Sequence, residues 1–559
     1  MHLFFLLTGC LEDKPFAYSY IVNFCTVVFD VALLMFLCLV LTSGRVRTSA
    51  CITFFLTLVW SFVNIFYGRF FFQYLSLSAI GQAEGLTDDV VVKSMLAGFQ
   101  WVDIYYLLSI AAFAVAFFRT RGHRGILSWK GIAGVLLVPL TAILVVFTTY
   151  TAYHLANSGT RGNMLLYKYR IQELVTNPTE CRNAYPNNVT FHAGVLRTLA
   201  SEMSDLLIPY TLSDDQKSMI AAEYQRHEHR QTSGQKCQPD VRNVVFILLE
   251  SFMSVTSDLI VDGQRITPFL DSLKHADDVY YNGHVRPNIT IGESGDGQFI
   301  YMTGILPLRA KYTVGEAKHN TMPYALPRLL QAQRDVAYTE IIVPSSLRVW
   351  QQENMNQVYG LNHCYSKQQV EGNQGEDLTD ESVFQLATTT DKTAHQPFYS
   401  MVLSISTHQP YREIVDPTFV LNDSSLPTGY LIYLNACHYL DLQIRKYFEH
   451  LKSEGLFDNS LIVIASDHHA HLDAMGMEGK ISTDLPLYIL HANIDCSKAY
   501  DGPCNQLDVY TTLLDILNIQ GEWRGLGHTL LDSAYQNSVS ASVYDISEQI
   551  VRSNYFSAY

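Results

Sequence analysis

Four apolar stretches crowd into the first 155 residues of this 559-residue chain, at 18–41, 50–71, 100–118 and 131–150. Each is close to the ~20 residues a helix needs to cross the hydrocarbon of a bilayer. Backbone groups in lipid must be satisfied within their own segment, so the stretches are expected to be membrane-spanning helices. A cleaved signal peptide could account for the first of them but not for the other three. The rest of the chain has the mixed polarity of a soluble protein, so the overall hydrophobic content of 48% conceals a two-part layout.

The short loops set an orientation, because Lys and Arg are retained on the cytoplasmic side. Arg45 and Arg47 lie between the first two stretches, and Arg119, Arg121, Arg124 and Lys130 lie between the last two. With both loops inside, the loop at 72–98 carrying Glu84, Asp88 and Asp89 lies outside, together with everything after residue 150. The expected organisation is a membrane helix bundle over 1–154, a helical connector over 155–240 and an exported domain over 241–559. Residues 1–7 are apolar but too short to span, and read either as the remnant of a fifth helix or as an interfacial segment. Asp30 falls inside the first span, where a charge is costly and serves either function or packing. Cys496 and Cys504 flank a short loop that a disulfide could close, and Cys181 with Cys237 is a second possible pair. A net charge of −15 gives no basic stripe for a phosphate backbone, so nucleic acid is not an expected partner.

In the exported part, residues 243–250 (NVVFILLE) form a continuous apolar run ending in a carboxylate, the pattern of a buried parallel strand. Residues 461–465 (LIVIA) repeat it and lead into Ser466-Asp467-His468-His469, while 398–405 lead into Ser406-Thr407-His408. A fourth strand is expected over 336–343, and a helical pattern covers 430–451. The fold class is therefore α/β: a mostly parallel central sheet with its site at the strand carboxyl ends.

Glu250, Asp467 and His468 offer the oxygen and nitrogen donors that suit zinc or manganese. Any one alone would read as a cap or a surface group; together, each at the end of a buried strand, they read as ligands. A metal-binding hydroxyl could complete the set and act as nucleophile, since coordination makes it reactive at neutral pH. Ser294, in GESGDGQF at 292–299, is the candidate. Taken by itself this octapeptide would be a glycine-rich turn with an N-cap serine.

The order NVVFILLES, GESGDGQF, SISTHQPY and IASDHHAH, within residues 243–530, resembles the lipoteichoic acid synthase family of phosphoglycerol transferases, of the alkaline phosphatase and sulfatase superfamily. The resemblance implies a sulfatase-like domain in which Glu250, Ser294, Asp467 and His468 bind one divalent metal, manganese in the first place, with zinc or magnesium as alternatives. It makes Ser294 the catalytic nucleophile and His408, Trp350 and Arg348 substrate-binding residues. It also implies transfer of a phosphoglycerol or similar head group from a phospholipid donor, phosphatidylglycerol or phosphatidylethanolamine, to a glycan or lipid-linked acceptor. The reaction would pass through a phospho-Ser294 intermediate on the extracytoplasmic, periplasmic face of a bacterial cytoplasmic membrane.

The chain departs from the family pattern at several points. Serine stands at 294 where threonine is usual, which keeps the hydroxyl. The family's Trp-Asn-Arg group appears as Trp350-Gln351-Gln352, which leaves Arg348 as the nearby candidate for the phosphate clamp. His469 and His471 enrich the usual Asp-His pair, either for a second metal or, for His471, as an exposed loop residue. Residues 506–510 (QLDVY) resemble the family's motif before its last helix and are read as structural. A phosphoethanolamine transferase and a sulfatase-like hydrolase or phosphodiesterase are the alternative enzymes. Ser294 is followed by Gly295-Asp296-Gly297, which lacks the Pro and Arg a sulfatase needs to oxidise its nucleophile. A catalytically inactive membrane protein that binds lipid head groups is the non-enzymatic alternative.

Overall fold

The computed structural model describes residues 17–71, 73–80, 98–120, 125–156, 186–228, 241–370, 376–411 and 416–558, with Met1, Val92, Leu96 and Asn373 as single positions. The expectations for residues 2–7, for the acidic loop residues Glu84, Asp88 and Asp89, for Arg121 and Arg124 and for Cys181 and Cys237 lie outside the described residues. The chain divides into two compact units, Met1–Ile80 with Met95–Pro209, and Gly81–Ser94 with Tyr210–Tyr559.

Among the described residues of the first unit, four helices are long and apolar enough to cross a membrane: Val22–Leu41, Val46–Arg69, Trp101–Arg119 and Trp129–Val146. The fourth is broken into Trp129–Val135 and Leu137–Ala156. Pro139 accounts for the break, because it has no N–H to offer the carbonyl of Val135, four residues back. The turns after the first and third spans are joined: Leu127 N–H donates to the Gly44 carbonyl at 2.9 Å, Val46 N–H to Gly125, and Arg45 bridges Ile126. The Arg-bearing turns therefore share one end of the bundle. Arg47 donates to the Phe117 carbonyl at 2.7 Å and lies over its ring. At the opposite end, Arg69 and Asp103 form a bidentate ion pair. Helices Pro186–Ala193 and Val195–Leu207 also belong to this unit.

The second unit is built on an eight-stranded sheet. In chain order the strands are β1 (Asn243–Leu249), β4 (Val279–Arg286), β5 (Tyr338–Ile342), β6 (His363–Tyr365), β7 (Phe398–Leu403), β8 (Ser460–Ser466), β9 (Leu485–Leu490) and β10 (Cys504–Asn505). A separate hairpin pairs β2 (Ile260–Val261) with β3 (Gln264–Arg265). The sheet order is β10-β4-β9-β8-β1-β7-β5-β6. Pairing is parallel except for β9, which runs against both β8 and β4.

The central strand β1 explains why its sequence shows no polar alternation. Val244, Phe246 and Leu248 pack into one apolar layer, and Val245, Ile247 and Leu249 into the other. Helices cover both faces, so every position is buried. Helices Glu293–Thr303 and Gln506–Ile516 contribute to the first layer; Thr428–Ser453 and Asp380–Thr393 contribute to the second. Cys496 is an exposed free thiol and Cys504 a buried one in the edge strand β10, so the expected disulfide between them is not formed.

Candidate active site

Strand register sets the site. Leu249 of β1 lies opposite Ser466 of β8, so the next residues, Glu250 and Asp467, leave the sheet side by side. On the other flank of β1, Leu248 pairs with Leu403 of β7, and Ser404 Oγ accepts the Glu250 N–H at 2.9 Å. Asp467 N–H donates to the Leu249 carbonyl at 3.0 Å, and Ser251 N–H donates to Asp467 Oδ1 at 2.9 Å. These bonds satisfy the backbone where the ladder ends and fix both carboxylates.

Ser294 arrives from a different direction, in the first turn of the helix Glu293–Thr303. Its Oγ is 3.1 Å from Glu250 Oε2 and 3.2 Å from His468 Nε2. The helix comes this close because of its glycines. A Cβ on Gly297 would sit 2.4 Å from the Asp467 carbonyl oxygen, and a Cβ on Gly295 would sit 3.2 Å from the Trp350 ring. Asp296 ties down the preceding loop by accepting from Thr290 N–H, Thr290 Oγ1, Gly292 N–H and Thr313 Oγ1.

Glu250, Asp467 and His468 are buried, and one donor atom from each lies within 4.8 Å of the others. His468 Nε2 is 3.3 Å from Glu250 Oε1 and 3.6 Å from Asp467 Oδ2. His468 Nδ1 donates to the His469 carbonyl at 2.8 Å, which leaves Nε2 as the nitrogen turned toward the carboxylates. Burial works against charge on Glu250, but His468 and then His408 hold its carboxyl well below the usual range. Burial and the neighbouring Glu250 charge push Asp467 up to about 8. Against its own burial, His468 is raised well above the ordinary imidazole range by Asp467 and Glu250. Two buried carboxylates, the charge on one raising the pKa of the other, with an imidazole nitrogen and a hydroxyl beside them, fit the donor set of one divalent cation. Among the described residues this is the one group of three or more His, Cys, Asp or Glu arranged to hold an ion.

The remaining expected residues divide. His408 is placed by a loop pinned at Asp380, whose carboxylate accepts from the Ile405 and Ser406 N–H groups, and by Thr407, whose hydroxyl donates to the Glu250 carbonyl. Its ring is among the groups that lower the carboxyls of Glu250 and Glu293. Trp350 stands over Gly295, one residue from Ser294, with φ +51°. Arg348 is exposed and its N–H donates to Ser346 Oγ. His471 differs from the exposed loop residue expected: it is largely buried and pairs with Glu293 Oε1 at 3.1 Å. Gln506 donates to the Asp467 carbonyl at 2.6 Å, so QLDVY braces the site from behind.

Sequence reading did not single out Ser251, Ser404, Thr407, Asp296 or the Glu293–His471 pair. Ser251 was adjacent to a named ligand and offered a hydroxyl, which now donates to Glu250 Oε1 at 2.6 Å. The Glu293–His471 pair joins positions 178 residues apart, with no local signal.

The sulfatase family model matches residues 242–519. Lipoteichoic acid synthase 2 of Bacillus subtilis (strain 168) is 26% identical over 303 residues, covering 50% of this chain and 45% of that protein. Lipoteichoic acid synthase of Staphylococcus saprophyticus is 23% identical over 423 residues, covering 73% of this chain and 61% of that one. The chain thus spans between 45% and 61% of the length of these two relatives. Among solved structures, the lipoteichoic acid synthase LtaP from Listeria monocytogenes aligns at TM-score 0.48 and 19% identity, over 56% of this chain and 81% of that one. The lipooligosaccharide phosphoethanolamine transferase EptA from Neisseria meningitidis aligns at TM-score 0.48 and 15% identity, over 93% of this chain and 99% of that one.

Proposed function

Residues 242–519 are a sulfatase-family domain, and on that premise we propose that the chain is a membrane-anchored, metal-dependent phosphotransferase that moves a phosphoglycerol or similar head group from a phospholipid to an extracytoplasmic acceptor. The observation that carries this reading is the convergence of the Ser294 hydroxyl on Glu250 and His468, with Asp467 beside them. Relatives named lipoteichoic acid synthase support the choice of reaction.

Glu250, Asp467, His468 and Ser294 would hold the cation, with manganese the first choice and zinc or magnesium the alternatives. When bound, it supplies positive charge for the phosphoryl oxygens and lowers the pKa of a coordinated hydroxyl. Ser294 Oγ attacks the phosphorus of the lipid phosphodiester. The bond from phosphorus to the diacylglycerol oxygen breaks, and diacylglycerol leaves with a proton. An acceptor hydroxyl then attacks the phospho-Ser294 phosphorus and loses its proton as Ser294 regains one. His408 donates to a phosphoryl oxygen, Trp350 walls the side of the nucleophile, and Arg348 is the phosphate-binding cation in place of the missing clamp. A multi-pass anchor keeps the enzyme beside its lipid donor.

Release of labelled diacylglycerol from phosphatidylglycerol or phosphatidylethanolamine, with and without a chelator, tests this. Metal-dependent release by the native chain and none by Ser294→Ala supports it. Equal release by both overturns the assignment of Ser294.

A further inference from the structure

Asp30, the carboxylate inside the first span, has a partner. Its Oδ2 accepts the Val195 N–H at 2.6 Å, so it caps the first turn of the helix Val195–Leu207. Gly194, at φ +91°, has room for this contact only because it lacks a side chain: a Cβ there would lie 2.9 Å from the carboxylate. Asp30 lies near the middle of the 25-residue helix Ala17–Leu41, so at about 1.5 Å of rise per residue this helix end lies well inside the span.

Other contacts trace a path in and out. Asn187, at the start of the helix Pro186–Ala193, accepts from the Tyr74 N–H at 3.0 Å, just beyond the helix Val46–Phe71. Asn23, near the end of the first span, donates to the Phe191 carbonyl at 2.6 Å. The Gly194 turn then meets Asp30, and further along the second helix Glu202 accepts from the Leu77 N–H at 2.6 Å. The segment thus starts beside Tyr74, descends along the first span to Asp30, and returns to Leu77.

The second helix is also inverted in polarity. Its buried side chain is Glu202, while Ala200, Met203, Leu206 and Leu207 are exposed at helical spacing, and Ile208 follows. A helix in water buries the apolar stripe and exposes the acid; the reverse is what hydrocarbon as solvent requires. On the first helix Asn187, Thr190 and His192 are buried together with Val189 and Phe191. Arg197 is the one Arg or Lys in the segment, and it is partly buried.

We propose that residues 186–207 form a re-entrant helical hairpin embedded in one leaflet, with its apex at Gly194 held by Asp30 and its apolar stripe in contact with lipid acyl chains. The capped N-terminus answers the requirement that no backbone donor be left unpaired in lipid, and it accounts for a carboxylate kept inside a span.

The test uses the full chain in lipid nanodiscs, with a fluorescent non-natural amino acid, excited outside the tryptophan band, placed at Ala193 or at Leu206. Phosphatidylcholine brominated near the middle or near the top of its acyl chains serves as quencher. Mid-chain bromine should quench the Ala193 label at least about twofold more than shallow bromine does, with the order reversed at Leu206. An Ala193 label that is quenched by neither lipid, or that is open to aqueous iodide, overturns the hairpin. In a second arm, Asp30→Asn, which keeps an acceptor oxygen, should leave the mid-chain quenching in place, and Asp30→Leu should shift it toward shallow bromine. Unchanged quenching in Asp30→Leu would remove Asp30 as the anchor.

Discussion

Ser294 Oγ and Glu250 Oε2 are 3.1 Å apart across 44 residues of chain, one carried by a helix and the other by the end of the central strand. Among the described residues, the hydroxyl is within hydrogen-bond distance of Glu250 and of the His468 ring, the groups that would activate it under the proposed mechanism. Ser294→Ala should therefore lower transfer by at least about 10³-fold, and Ser294→Thr, which restores the family's usual hydroxyl, should keep activity within about tenfold. Steady-state rates of the three proteins check this; a silent threonine variant would show that the pocket is shaped for serine alone.

Glu250→Gln and Asp467→Asn each replace a carboxylate with a neutral amide at a buried three-donor group. Bound metal, measured by elemental analysis after dialysis against dilute manganese, should fall by at least about tenfold in each. Retention of stoichiometric metal in both would contradict the assignment.

Gly297 packs against the Asp467 carbonyl with no space for a methyl group. Gly297→Ala should cost about 1–3 kcal/mol of stability through overpacking, and it should lower activity more than stability explains, because the helix carrying Ser294 must shift. Thermal unfolding and activity on the same preparation separate the two effects.

A pH effect is expected away from the site. Asp391 is buried, its Oδ2 accepts from Tyr447 at 2.7 Å, and its Oδ1 has no partner among the described residues. Burial first, and then the Glu340 charge, push it up to about 8. A carboxyl raised in the folded state binds more protons there than in the unfolded chain, so its contribution to stability falls as pH rises from about 4 to about 8. Asp391→Asn should gain stability relative to the native chain across that window and then level off. A difference between the two that does not change with pH would contradict this.

The strand ends were legible because a buried parallel strand must be apolar on both faces, and NVVFILL and LIVIA can be little else. Parallel register then carries Glu250 to Asp467, a step that sequence spacing does not contain. Strands β4 and β9 were not foreseen, because the tyrosines and polar residues of β4 break its apolar run and the antiparallel turn of β9 leaves no local mark. GESGDGQF was read for its hydroxyl, whereas Asp296 and Gly297 owe their importance to Thr290, Thr313 and Asp467, contacts made only on folding. His471 looked like a loop residue because its partner, Glu293, lies far back in the chain. Asp30 stood out in the sequence as a cost, and only the fold supplies the Val195 N–H that it accepts.

The central claim, a phospho-enzyme formed on Ser294, is tested most directly by mass spectrometry of the full chain after incubation with manganese and either phosphatidylglycerol or phosphatidylethanolamine. A glycerol-phosphate or ethanolamine-phosphate adduct located on Ser294, and absent from Ser294→Ala, is the predicted result, and its mass names the head group. The absence of any adduct from either lipid, with no diacylglycerol released, would contradict the account.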